Sequence, residues 1–285
     1  MPLVTTKKIL SKANKENYAV GAFNFTNMET LQAIISAARE LNSPVIVQSS
    51  EGTIKYMGLD YITAMVTSAA KKEKIPIALH LDHGSTVEMT KDCTKAGYTS
   101  VMIDGSALKL EENIALTKKV VDLAKKSKVS VEAELGKLGI ISDFIMSTAD
   151  ASMFLTNPEE AKRFVKETKV DALAIAIGTA HGPFKNKPKL AFDRIEEIKA
   201  LLKMPLVMHG ASGVPDDDIK RAVKAGINKI NINTDIRQVF SASIKDTFAR
   251  KPDTYKIRAY LDPARTAAEE VVKNKIKLFG SVGKA

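Results

Sequence analysis

The sequence has a single cysteine, Cys93, no tryptophan and only four histidines. One cysteine excludes an intrachain disulfide framework and fits a reducing compartment. Aromatic residues make up 6% of the chain. They are too sparse to interleave with basic residues as a nucleic-acid platform. No apolar run approaches the roughly 18 residues of a membrane-spanning helix. The opening stretch Met1-Pro2-Leu3-Val4-Thr5-Thr6-Lys7-Lys8 lacks the apolar segment of a secretory leader. No low-complexity linker divides the chain, so residues 1–285 read as one domain. The expectation is a cytoplasmic protein without a membrane or nucleic-acid partner.

What is present fits a folded enzyme. Hydrophobic residues at 45% supply a sizeable core, and 27% charged residues argue against disorder. The formal charge is +10, from 43 Lys+Arg against 33 Asp+Glu. The pairs Lys7-Lys8, Lys71-Lys72, Lys118-Lys119 and Lys125-Lys126 are scattered over polar helix faces. Such a surface is either plainly solvated or attractive to anionic substrates.

Short β-branched runs alternate with amphipathic segments. The strand candidates are residues 19–23, 45–48, 77–81, 100–103, 130–133, 172–177, 206–208 and 229–231. Several are apolar without strict alternation, as expected for parallel strands buried on both faces. Helical spacing occupies 30–41, 61–72, 87–96, 110–124, 158–167, 192–202, 216–225 and 236–249. Asn157-Pro158 has the form of an N-cap followed by proline at the first helical position. Eight strands alternating with eight helices predict a closed (β/α)8 TIM barrel, with a C-terminal helical extension near 263–278. An open doubly wound sheet would want a Gly-x-Gly-x-x-Gly after its first strand, and none is present. The stretch 136–155 is a long loop after the fifth strand, on the catalytic face of such a barrel.

All four histidines fall at the C-terminal ends of predicted strands: His80 and His83 in His80-Leu81-Asp82-His83-Gly84, His181 in Gly178-Thr179-Ala180-His181-Gly182, and His209 in His209-Gly210-Ala211-Ser212-Gly213. Any one alone reads as a structural histidine bonded to main chain. Together at one barrel mouth they read as a catalytic zinc site, three imidazoles with an open position. His83, His181 and His209 come from three different strand ends, which leaves His80 supporting. Asp82, beside a ligand, is either the proton donor and acceptor at a substrate or the orienter of an imidazole. Glycines and hydroxyls at 210–213 and in Asn231-Ile232-Asn233-Thr234 end the seventh and eighth strands, where barrels often hold phosphate. Gly182 and Lys185 add close main-chain approach and a cation.

Nearly end to end, the chain resembles the class II fructose-bisphosphate/tagatose-bisphosphate aldolase family. The blocks above carry the likeness, with Val131-Glu132-Ala133-Glu134-Leu135-Gly136 and Tyr18-Ala19-Val20-Gly21-Ala22-Phe23-Asn24. The resemblance implies His83, His181 and His209 as Zn2+ ligands, and Asp82 as the residue that protonates the aldehyde oxygen in condensation. It implies that Asn231 holds dihydroxyacetone phosphate. By the same resemblance, Gly182, Lys185, Gly210, Ser212, Asn233 and Thr234 would line the phosphate site, and Asn24 and Ser50 resemble substrate-contacting positions. Asp104 and Glu134 match carboxylates at an alternative or second metal position. The resemblance further implies a monovalent cation (Na+ or K+), a homodimer or homotetramer, and an Arg258 reaching the second phosphate of a neighbouring subunit's ketose bisphosphate. Lys256-Ile257-Arg258 stands where the family has Asp-Pro-Arg.

One departure bears on turnover. The family's loop runs Gly-Gly-x-Glu-Asp, and here Gly139-Ile140-Ile141-Ser142-Asp143 stands in its place. Ser142 replaces the glutamate that takes a proton from dihydroxyacetone phosphate, and serine does not do so near neutral pH without an activating base. Three readings remain open: Asp143 is the base, turnover is slow, or the chain is a non-catalytic sugar-phosphate-binding paralogue. Fructose 1,6-bisphosphate, tagatose 1,6-bisphosphate and related ketose phosphates remain open as substrates.

Overall fold

The computed structural model describes residues 3–136, 139–140, 154–181 and 188–285, with main chain alone at Gly139, Ile140 and His181. Ten strands lie among the described residues: β1 (Val20–Asn24), β2 (Val45–Ser50), β3 (Ile77–Gly84), β4 (Ser100–Ile103), β5 (Ser130–Leu135), β6 (Gly139–Ile140), β7 (Ala172–Ile175), β8 (Ala180–His181), β9 (Leu206–Met208) and β10 (Ile227–Ile232). Eight of them close a parallel barrel in the order β1-β10-β9-β7-β5-β4-β3-β2. The (β/α)8 barrel expected from the alternation is therefore the fold. The pair β6-β8 was not expected. It lays the loop after β5 beside the segment that carries His181, with Ile140 opposite His181.

The helices are α1 (Thr6–Glu16), α2 (Met28–Glu40), α3 (Glu51–Met57), α4 (Leu59–Lys72), α5 (Val87–Ala96), α6 (Leu110–Lys126), α7 (Pro158–Thr168), α8 (Phe192–Leu202), α9 (Asp216–Ala225), α10 (Thr234–Arg250) and α11 (Ile257–Phe279). The eight expected helices are all present, and the C-terminal one begins earlier than expected. α1 and α3 are additions. Caps explain several starts. Asn157 Oδ1 accepts from the main-chain N–H of Glu159 and Glu160, with Pro158 at N1. Asn27 and Thr30 form a reciprocal capping box at α2. Three aspartates, Asp216 to Asp218, occupy the first turn of α9 and oppose its dipole.

Strand faces divide the core in two. Val45, Val47, Ile77, Leu79, Leu81, Val101, Ile103, Val131, Ala133, Leu173, Ile175, Leu206, Met208, Ile230 and Ile232 pack outward with the helices. The alternate positions Val20, Ala22, Ile46, Ala78, Ala172, Ala174 and Val207 form a separate inner cluster. Successive strand residues thus alternate between the two clusters, although both faces are buried. Small inner residues leave room for α1, whose Ile9, Leu10 and Ala13 join that cluster. Val4 N–H donates to the Ile77 carbonyl at 2.9 Å, and Thr6 Oγ1 lies 2.8 Å from Ser100 Oγ and 2.7 Å from Ser130 Oγ. α1 is accordingly a plug in the N-terminal end of the barrel. Above it, the inner positions turn polar.

Leu10 is fully buried in the plug. Leu10→Ala is expected to cost about 2–5 kcal/mol of stability, as large-to-small core changes do. A lowered urea midpoint checks this; an unchanged midpoint would mean that α1 does not close the barrel.

Candidate metal centre and active site

The site starts with an irregularity in β3. His80 pairs with Ser100 and Leu81 with Val101, but Gly84 pairs with Ile103, so one extra residue is inserted at 82–83. In a regular strand, Asp82 and His83 would point to opposite faces. The bulge and a left-handed His83 (φ 52°) turn both toward the mouth. His83 Nε2 then lies 3.9 Å from Asp82 Oδ1. A non-glycine residue at positive φ is held there by its surroundings. Gly84 is part of that hold: a Cβ on it would stand 2.6 Å from the Met102 carbonyl oxygen.

Opposite His83 stands His209, just past β9. The ring centroids are 4.6 Å apart, edge to face. Gly210 follows at φ 62°, and a Cβ there would sit 2.5 Å from the Ala180 carbonyl oxygen. Only glycine permits this approach, which brings the His209 turn against the main chain leading into His181.

Both described imidazoles meet carboxylates, His83 at Nδ1 and His209 at both nitrogens. His83 Nδ1 is 2.7 Å from Asp104 Oδ2, and Asp104 Oδ1 accepts from Ser106 N–H at 3.0 Å and Oγ–H at 2.7 Å. His209 Nε2 is 3.0 Å from Glu132 Oε1. Glu134 Oε2 lies between the rings, 3.1 Å from His209 Nδ1 and 3.7 Å from His83 Nδ1. Burial opposes charge on His209, but Glu134 and Glu132 outweigh it and push its pKa up to about 10. Burial likewise opposes charge on His83, and the Asp104 hydrogen bond raises its pKa nonetheless. Asp104 itself is held well below the usual carboxylate range: burial works against this, and His83 and Ser106 prevail.

Asp82 is buried and held at both oxygens. Asn24 Nδ2 donates to Oδ2 at 2.8 Å and Asn231 Nδ2 to Oδ1 at 3.0 Å. Gln48 Nε2 donates to Asn24 Oδ1 at 2.8 Å, which orients that amide. Burial favours the neutral acid, but His83, His209, Lys229 and the Asn24 hydrogen bond keep Asp82 ionised.

These groups suit a divalent cation. Ligand atoms of Asp82, His83 and His209 lie within 4.8 Å of one another, as do those of His83, Asp104 and Glu134. Carboxylates that accept from imidazole N–H groups are the usual supports of metal-bound histidine. The side chain of His181 lies outside the described residues, as do Gly182, Lys185, Ser142 and Asp143.

The remaining expected residues divide. Gly210, Ser212, Asn233 and Thr234 gather where β9 and β10 end. Ser212 Oγ accepts from Asp235 N–H at 3.4 Å, at the start of α10. Among the described residues, the buried Asn231 Oδ1, Asn233 Oδ1 and Thr179 Oγ1 have no hydrogen-bond partner, as at a site that expects a ligand. Ser50 caps α3. Arg258 is exposed at the start of α11 and joins none of these contacts.

Sequence reasoning gave no role to Glu132, Lys229 or Gln48. All three are buried inside the barrel. Their signal was a charged or amide residue alternating with aliphatics inside an otherwise apolar strand. His80, read as supporting, is fully buried with Nδ1 2.8 Å from Ser100 Oγ. Burial, then the Lys229 charge, pushes its pKa down to about 3, so it is neutral.

The family described as fructose-bisphosphate aldolase class-II matches residues 4–284. A fructose-bisphosphate aldolase of Helicobacter pylori (strain J99) is 48% identical over 99% of this chain and 99% of its own. One from Thermus caldophilus is 45% identical over 99% and 100%. The crystal structure of the YdjI aldolase from Escherichia coli K12 superposes with a TM-score of 0.87 at 35% identity, covering 99% of both chains.

A raised His209 pKa sets the sign of a pH effect. A metal held by His209 would require neutral imidazole, so its binding below about pH 10 is expected to displace a proton from that ring. Apparent affinity is expected to rise about tenfold per pH unit for each proton displaced. Calorimetry of Zn2+ binding in buffers of different ionisation enthalpy would count the protons. A buffer-independent heat would mean that His209 is not displaced.

Proposed function

The chain belongs to the class II fructose-bisphosphate aldolase family, and from that premise we propose that it reversibly cleaves fructose 1,6-bisphosphate, with zinc, into dihydroxyacetone phosphate and glyceraldehyde 3-phosphate. The observation that carries this is the ionised Asp82, clamped by Asn24 and Asn231 beside His83 and His209. A general base and a metal-ligand set meet there within one mouth.

His83, His181 and His209 would hold Zn2+, which when bound supplies Lewis-acid polarisation of a carbonyl. Asp104 and Glu134 would serve a second or alternative metal position, a reading supported by their ligand atoms lying within 4.8 Å of each other and of His83. Asp82 takes the proton of the hydroxyl that becomes the aldehyde oxygen, and returns it in condensation. Asn24 and Asn231 keep its carboxylate aimed and charged. Asn231 Oδ1 is left for a substrate hydroxyl, and Ser50, which also caps α3, would touch substrate beside it. Gly182, Lys185, Gly210, Ser212, Asn233 and Thr234 hold one phosphate, aided by main-chain N–H groups at the start of α10 and a monovalent cation (Na+ or K+). Arg258, exposed and uncommitted in its own subunit, serves the second phosphate of a neighbouring copy in a homodimer or homotetramer. Asp143, in place of the glutamate absent at position 142, gives a proton to the carbon that cleavage leaves on the dihydroxyacetone phosphate half and takes it back from the hydroxymethyl carbon in condensation. Residues 1–285 act as one domain, a reading supported by α11 packing on both α2 and α10. No described helix is long and apolar enough to cross a membrane, which agrees with a cytoplasmic setting. Tagatose 1,6-bisphosphate differs at one hydroxyl, and rates on the two sugars decide between them.

Two outcomes are expected. Asp82→Asn should lower the cleavage rate by about 10²–10⁴-fold, the usual cost of losing a general base, with zinc still bound. In deuterated water, the zinc-loaded protein should exchange one hydroxymethyl proton of dihydroxyacetone phosphate stereospecifically, as followed by NMR. Failure of the wild type to exchange, with gain in Ser142→Glu, would show a site lacking its base and favour a binding role over turnover.

A further inference from the structure

An ion pair occupies the middle of the barrel. Lys229 on β10 and Glu132 on β5 are buried, with 0% and 1% of their side chains exposed. Lys229 Nζ lies 3.0 Å from Glu132 Oε1 and 2.9 Å from Oε2. Taking both charges out of water is costly, and apolar residues of similar volume commonly serve a core as well or better. Stability alone therefore does not account for the pair.

The direction in which Glu132 points does. Its Oε1, already held by Lys229, is 3.0 Å from His209 Nε2. Both His209 nitrogens face a carboxylate, Glu132 at Nε2 and Glu134 at Nδ1. A neutral imidazole carries one N–H. Glu132, fixed by Lys229, keeps it at Nε2, whereas Glu134 belongs with His83 and Asp104 to a candidate ligand group. The other nitrogen, Nδ1, then presents its lone pair toward Glu134, at 3.1 Å, and the His83 ring. Lys229 has three donors and no acceptor, so it cannot take the imidazole proton itself. Its contact with both oxygens fixes the rotation of the carboxylate. On the far side His80 Nε2 stands 3.7 Å from Glu132 Oε2. His80 Nδ1 is tied to Ser100, and Ser100 to Thr6 of the α1 plug.

We propose that Lys229 is a positioning residue for the metal centre: it holds Glu132 against the Nε2–H of His209, so that His209 offers Nδ1 to the metal. The inference rests on the metal-centre reading given above. Lys229 touches neither metal nor substrate and acts through two intervening side chains.

Two measurements test it. In the zinc-loaded wild type, long-range proton–nitrogen spectra of the four histidines should show His209 protonated at Nε2 and ligating through Nδ1. The paired variant Lys229→Met with Glu132→Gln removes both charges at nearly constant volume. Its metal-free melting temperature should match or exceed that of the wild type. Its zinc affinity, by chelator competition, should fall about 10–100-fold, the usual effect of losing an outer-shell partner. Ligation of His209 through Nε2 would overturn the inference alone. So would an affinity within about threefold of wild type, well inside that range. A wild type that binds no zinc would overturn the metal-centre reading and this inference with it.

Discussion

Closure of the sheet is the constraint on which everything else depends. A closed parallel barrel gives every strand one face toward its helices and one toward a narrow interior. The outward face takes large aliphatics. The inward face cannot, so it carries alanine and valine at the plugged end, and histidine, aspartate, glutamate, asparagine and lysine toward the mouth. The functional residues are those for which the interior had room once α1 had filled its floor.

The polar interior is held together by mutual compensation. Glu132 answers Lys229 and His209, Glu134 answers His209 and His83, and Asp104 answers His83 and Ser106. Removing one member would leave a partner charged and unmatched in a poorly solvated place, which costs more than the contact contributes. The carboxylates outnumber the permanent cations of this cluster, so His83 and His209 are drawn toward protonation. A divalent cation relieves the same imbalance.

The barrel, its eight principal strands and their helices were legible in the sequence because short β-branched apolar runs alternate with segments of helical period. The C-terminal ends of β3 and β9 were legible because a histidine stood beside a glycine or an aspartate. The bulge in β3 was not. Nothing in His80-Leu81-Asp82-His83-Gly84 announces an inserted residue, and a regular strand would have sent His83 away from Asp82. Only the pairing of Gly84 with Ile103 reveals it. α1 was missed because its apolar positions Ile9, Leu10 and Ala13 are few among lysines. They matter through a cavity that only the folded sheet creates. Glu132 and Lys229 were passed over because a strand buried on both faces was read as apolar throughout. The two-residue pairing β6-β8 is too short to leave a periodic trace.

The plug at the barrel floor makes the interior a vessel with one opening. With Ile9, Leu10 and Ala13 packed beneath the inner residues, nothing can be delivered to the centre from below or drained away there. Metal ion, substrate and solvent would then share a single approach, over the C-terminal ends of the strands.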